Sequence, residues 1–406
     1  MDLHVLTYLL NLIFYQVYHS LGVSLQIVHN LYNCFSCNFG TFRLLINVLF
    51  LPQRRPLWNP FKRLWELLSI WWTIFAFGDS LTDNGNNNHL NSLAKANYVP
   101  YGVDFYEGPS GRFCNGRTII DYLGDLLELS YVPAFANPSA TGRNILRGVN
   151  YASAAAGILD ETGQHLGERF SLRQQVQNFE SSLSELRNQM REEKELSQYL
   201  AKSLVVMILG GNDYLNNYLL PSLYPTSYVY NPKDYANLLI DHYTRQIIYL
   251  YNLGLKKFFL GGVGPLGCIP NQLATGLASP GKCVSFVNDM VGMFNMRLKS
   301  VVDQLNTKYP DGIFIYGNTF GAFSDILDNA TAYGFNESER GCCGIGRNKG
   351  QITCLPFSVP CLNRKQYVFW DAFHPTQAVN QILAQRAYTG PPSDSYPINV
   401  KQMAHI

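Results

Sequence analysis

Along the chain, short apolar runs alternate with longer stretches whose apolar positions recur every three to four residues. The runs at Thr73 to Phe77, Ser203 to Leu209, Lys257 to Leu260 and Gly312 to Tyr316 have the length and β-rich composition of buried strands. Between them, Arg169 to Met190 spaces Phe170, Leu172, Val176, Phe179, Leu183 and Leu186 in a helical pattern, and Asp234 to Asn252 and Val284 to Tyr309 do the same. Strands alternating with helices predict an α/β fold, a mainly parallel central sheet covered on both faces in three α/β/α layers. In such sheets ligands sit at the carboxyl ends of the strands, so chemistry is sought just after each apolar run. No period of 20 to 50 residues is apparent, which sets repeat architectures aside.

The front of the chain is different material. After Asp2 no Asp, Glu, Lys or Arg appears until Arg43, and the apolar run from Leu9 to Val28 is broken by Asn11, Gln16, His19, Ser20, Ser24 and Gln26. A secretory signal wants a cationic start, whereas this one carries Asp2 and His4. A signal anchor, a poor signal peptide and a non-native leader from a mis-started gene model stay open, the last two ranked above a spanning helix. Membrane association through the leader is admitted but nothing in the sequence supports it. The expected division is a leader over residues 1–72, a catalytic domain over 73–390 and a C-terminal tail over 391–406.

With 47% hydrophobic and 15% charged residues in 406, the chain is too apolar for a disordered tail and too interrupted for a multi-span channel. Its net charge of +2 supplies no electrostatic footprint for nucleic acid. Nine cysteines are many for a reduced cytosolic enzyme, and Cys342, Cys343, Cys354 and Cys361 crowd together without the paired arms of a zinc site. Disulfides are the better reading. The sequons at Asn329 and Asn336 lie just before them and agree with passage through an oxidising compartment.

Three stretches carry candidate chemistry. The first apolar run ends in Phe77-Gly78-Asp79-Ser80-Leu81-Thr82-Asp83, where Ser80 would present a hydroxyl and a backbone N–H at the sheet's edge. Ser80-x-x-Asp83 fits a helix capping box equally well, the commoner role for such a serine. A second run ends in Gly210-Gly211-Asn212-Asp213, where Asn212 is either a turn residue or an amide donor to a developing oxyanion. Near the other end, Asp371-Ala372-Phe373-His374-Pro375 precedes an amphipathic stretch, and three residues' separation lets the carboxylate orient the imidazole. None of the other seven histidines has an acid three positions before it.

Together these stretches resemble the GDSL esterase/lipase family, a branch of the SGNH hydrolases, in its plant form. The resemblance rests on four blocks in order: Phe77 to Leu81 with Asp83 to Asn88, Gly148-Val149-Asn150-Tyr151-Ala152-Ser153-Ala154-Ala155-Ala156-Gly157, Gly210 to Asp213, and Asp371 to Pro375. It reaches roughly from Thr73 to Tyr388 and leaves the first 72 residues uncovered. It implies a flavodoxin-like SGNH-hydrolase fold, Ser80 as nucleophile, His374 as general base and Asp371 as its partner. Ser80 N–H, Asn212 and a second-block N–H would form the oxyanion hole, assigned to Gly157 with Ala155 as the competing position, because alanines stand where many relatives have glycine. The implied reaction is hydrolysis of lipid or other acyl esters through an acyl-enzyme, without metal or cofactor. Because the base must be neutral, activity is expected to fall on the acid side of roughly pH 6 to 7, the ordinary imidazole range.

Three alternatives remain: an acyltransferase using the same triad, a non-catalytic binding protein on this fold, and a membrane-attached protein. Gly262-Val263-Gly264-Pro265-Leu266-Gly267 mimics a dinucleotide fingerprint, but Cys268-Ile269-Pro270 interrupts the helix such a site needs. No Gly-x-Ser-x-Gly elbow occurs.

Overall fold

A computed structural model describes residues 73–190, 192–279 and 281–406. The leader expected over residues 1–72 lies outside the described residues. The strands are β1 (Ile74–Gly78), β2 (Gly148–Asn150), β3 (Leu204–Ile208), β4 (Lys257–Gly261), β5 (Ile313–Gly317), β6 (Glu337–Gly341), β7 (Tyr367–Phe369) and β8 (Ser395–Tyr396). The main sheet runs β2-β1-β3-β4-β5-β8, with β6 and β7 paired separately. Contacts from β2 through β5 are all parallel, and only β8 joins antiparallel to β5. The four strands expected from apolar runs are β1, β3, β4 and β5, each within a residue or two of the expected limits.

The principal helices are α1 (Ile119–Leu126), α2 (Leu172–Gln189), α3 (Glu193–Lys202), α4 (Pro232–Asn252), α5 (Ser285–Lys308), α6 (Thr319–Asp328), α7 (Gln377–Thr389) and α8 (Val400–Ala404). Alternation along each strand divides the core into two layers. Phe75, Phe77, Val205, Met207, Phe258, Leu260 and Phe314 face α2 to α5. Ile74, Ala76, Val206, Ile208, Phe259 and Ile315 face α1, α6, α7 and α8. Burying such a Phe, Ile or Val side chain contributes roughly 1.5–3 kcal/mol, so the apolar runs hold the three layers together. Residues 391–406, set apart in the sequence as a tail, contribute β8 and α8, whose Val400 and Met403 are buried.

This topology places the site. The strand order reverses between β1 and β3, and at such a reversal the loops leaving the carboxyl ends diverge and open a crevice. Ser80 follows β1 and Asn212 follows β3, on either side of that point. Helix α1 starts in a capping box formed by Thr118 and Asp121. The buried Arg112 guanidinium pairs with the Asp121 carboxylate at 2.8 Å, fixing the preceding loop, with Phe113 and Cys114, beside the same edge.

Candidate active site

The exit from β1 is clamped before Ser80 is reached. Gln175 on α2 accepts from Gly78 N–H at 2.8 Å and donates to Gly78 C=O at 2.8 Å. A side chain at Gly78 would lie 2.2 Å from Thr82 Oγ1 and 2.5 Å from the Ile208 carbonyl, so the chain can pass there only as glycine. No helix begins at Ser80, which sits in a turn. Its Oγ lies 2.7 Å from His374 Nε2, so its hydroxyl is engaged across the site and the capping alternative falls.

His374 is held from its other side. Its Nδ1 lies 2.8 and 2.9 Å from the two oxygens of Asp371, which places the Nδ1 proton between ring and carboxylate and leaves Nε2 facing Ser80. Asp371 Oδ1 also accepts from the backbone N–H groups of Phe373 and His374 at 2.9 and 2.8 Å. Asp371 Oδ2 accepts from Tyr101 Oη at 2.5 Å and Thr353 Oγ1 at 3.2 Å. Burial alone would push this carboxyl up. The charge and hydrogen bond of His374, with the bonds from Tyr101 and Phe373, outweigh it and hold the group below the usual carboxylate range. It is therefore an ionised carboxylate in a buried place.

The second block is laced to its neighbours by buried polar side chains. Asp83 accepts from Gly85 and Asn86 N–H through one oxygen and from Ala154 N–H through the other. Asn87 accepts from Ala154 N–H and Ser153 Oγ, and Asn86 donates to the Asn150 and Ala152 carbonyls. From the third block, Asp213 accepts from Ile158 and Leu159 N–H and from Thr162 Oγ1. Burial pushes the Asp83 and Asp213 carboxyls up to about 6, and that of Asp79 to about 7.

Asn212 is oriented by two partners. Its Oδ1 accepts from Asn216 at 2.7 Å and its Nδ2 donates to the Ala156 carbonyl at 2.9 Å, which leaves one amide hydrogen for another acceptor. Ala155 has a left-handed φ of 65°, a conformation that costs an L-residue energy. Among the described residues, the N–H groups of Ser80, Ala155 and Gly157 have no hydrogen-bond acceptor. At Gly157 a Cβ would lie 2.4 Å from Thr162 Cγ2 and 2.6 Å from Asp213 Oδ1, a packing reason for glycine.

The cleft beside Ser80 and His374 is shallow and lined by Leu81, Phe113, Cys114, Thr118, Pro375 and Asn380. A cavity of about 550 Å³ near Tyr224 and His242 is lined by none of Ser80, Asp371 and His374. No cluster of metal-ligating side chains occurs among the described residues. Gly262 to Gly267 leads into the short turn Leu266–Cys268, anchored by Asn295 to Val263 and by the Cys268–Cys283 disulfide. Cys342–Cys361 and Cys343–Cys354 complete the bridges among the described residues, where Cys114 is a buried free thiol. Asn329 and Asn336 are both exposed.

Ser80, Asn212, Asp371 and His374 were all marked by sequence, and the fold gathers the blocks that carry them at one edge. Tyr101, Thr353 and Gln175 were not: each is a single polar residue outside the blocks, with no local spacing to betray a partner up to 270 positions away.

The sequence profile described as GDSL-like Lipase/Acylhydrolase matches residues 74–387. One GDSL esterase/lipase of Arabidopsis thaliana is 58% identical over 81% of this chain and 88% of its own length. A second is 56% identical over 84% and 89%, and GDSL esterase/lipase 7 from the same plant is 51% identical over 82% and 92%. With the three-layer fold and the Asp371–His374 pair facing Ser80, these matches establish that the chain belongs to the GDSL-like lipase/acylhydrolase family and is a serine-type carboxylic ester hydrolase.

Proposed function

We propose that Ser80 is the nucleophile, His374 the general base and then acid, and Asp371 the group that orients the imidazole and stabilises its protonated form. Ser80 Oγ attacks the ester carbonyl carbon while its proton passes to His374 Nε2. The tetrahedral oxyanion collapses, the C–O bond to the alcohol breaks, and the leaving oxygen takes that proton. Water then attacks the acyl-enzyme with His374 again as base, releasing the acid and restoring the Ser80 hydroxyl. The observation that carries this reading is the relay of 2.7 Å from Ser80 Oγ to His374 Nε2 and 2.8 Å from Nδ1 to Asp371.

The oxyanion is received by the Ser80 N–H, the free Asn212 amide hydrogen and a second-block N–H. For the last, Ala155 is favoured over Gly157. Its strained φ and unpaired N–H mark a backbone turned for a purpose, whereas packing already accounts for Gly157. The substrate class is a lipid or other acyl ester, supported by the names of the relatives and by the apolar rim of Leu81, Phe113 and Pro375. Passage through the secretory pathway, with Asn329 and Asn336 as glycan acceptors, is supported by three disulfides and two exposed sequons among the described residues. The test is hydrolysis of a short-chain nitrophenyl ester by Ser80→Ala: loss to background is expected, and a normal rate would overturn the assignment.

A further inference from the structure

We propose that Tyr101 and Thr353 are positioning residues for the reaction: their hydroxyls hold Asp371 Oδ2 and thereby set how strongly the carboxylate draws the imidazole of His374. This rests on the roles proposed above for Ser80, His374 and Asp371. The bonds to Oδ1 from Phe373 and His374 N–H come from the same turn. Those to Oδ2 come from outside that turn, Tyr101 at 2.5 Å from 270 residues away and Thr353 at 3.2 Å from 18 residues away, the two hydroxyls standing 3.3 Å apart.

Both segments are fastened for the task. The Tyr101 ring is fully buried and packs edge-on against Tyr98, Phe113 and Trp370. A phenylalanine would keep that packing, so the hydroxyl separates from the ring's structural role. Thr353 adjoins Cys354, whose disulfide to Cys343 closes a short loop and whose carbonyl accepts from Tyr98 Oη at 2.9 Å. Cys343 N–H in turn donates to Trp370 C=O, beside Asp371.

A hydroxyl donated to a carboxylate spreads its charge, and removing it leaves more negative charge to stabilise the imidazolium. Loss of either hydroxyl therefore raises the pH at which the base becomes neutral and loosens the ring's alignment. The other titratable groups facing the pair are Asp79 toward His374 and Tyr98 and Cys114 toward Asp371. Burial pushes Tyr98 and Cys114 up to about 12, so both stay neutral in the working range. Asp79 is common to wild type and variants and drops out of their difference.

The test is the pH profile of kcat/KM on a soluble nitrophenyl ester, using the full chain and the variants Tyr101→Phe, Thr353→Val and Thr353→Ser, with Asp371→Asn and His374→Gln as references. Tyr101→Phe should move the acid limb up by about one pH unit and lower kcat about tenfold, with KM nearly unchanged. Thr353→Val should move the limb the same way by less, and Thr353→Ser should restore it. If Tyr101→Phe does not fold, the Thr353 pair decides on the same readout. An acid limb unmoved by the hydroxyl deletions, while both references lose activity, overturns the positioning roles alone. Activity retained by the references overturns the underlying triad instead.

Discussion

His374 Nε2 stands 2.7 Å from Ser80 Oγ although 294 residues separate them. The approach follows from construction at both ends. Gln175 and the tight passage at Gly78 fix where Ser80 leaves the sheet, while the Asp371 carboxylate takes the His374 backbone N–H and ring Nδ1 together. Neither partner needs to move for a proton to pass between them.

Asn212→Ala removes an amide whose orientation is fixed by Asn216 and Ala156. Steady-state kinetics should show kcat lowered by roughly 100- to 1000-fold with a small change in KM, the signature of a lost oxyanion donor. A loss of only a few fold would mean the free amide hydrogen does not reach the developing charge.

Ala155 holds φ at 65°, so substitutions there sort by backbone freedom. Ala155→Gly relieves the strain but loosens the unfolded chain, and should leave stability within about 1 kcal/mol and preserve activity. Ala155→Val adds a β-branched side chain that cannot easily adopt this φ, and should cost about 2 kcal/mol or more. Denaturant unfolding of the two variants reads the difference directly.

Asp79 is buried with its carboxyl pushed up to about 7 from 3.8. A group raised in the fold binds its proton more readily folded than unfolded, so its contribution to stability falls as pH rises from about 4 to about 7. Asp79→Asn removes that dependence. Relative to wild type, the variant should gain stability across this window, as measured by denaturant midpoints at several pH values. A difference independent of pH would show that Asp79 is ionised in the fold at no cost.

The Cys268–Cys283 bridge closes a loop of 15 residues. Replacing both cysteines by serine should lower unfolding free energy by about 3 kcal/mol, through the freedom returned to the unfolded chain. Equal denaturant midpoints for the two proteins would contradict this.

Much of the arrangement was legible in the chain because its elements announce themselves locally. Strands β1, β3, β4 and β5 are apolar runs of full length, and Ser80 and Asn212 stand just past two of them. Strand β2 is three residues long and β8 only two, too short to show a period, so their places depend on neighbours. The Asn86-Asn87 pair was visible only as part of a block, whereas the fold uses it to lace the second block to the first. Nothing in a run of alanines says that one of them turns left-handed, and nothing near Tyr101 or Thr353 points to the Asp371 carboxylate, 270 and 18 residues away.

Labelling with a fluorophosphonate probe, followed by mass-spectrometric mapping of the modified residue, tests the central claim most directly. A single adduct on Ser80, absent from Ser80→Ala and strongly diminished in His374→Gln, is the predicted result. An adduct on another residue, or equal labelling of Ser80 without the imidazole, would contradict it.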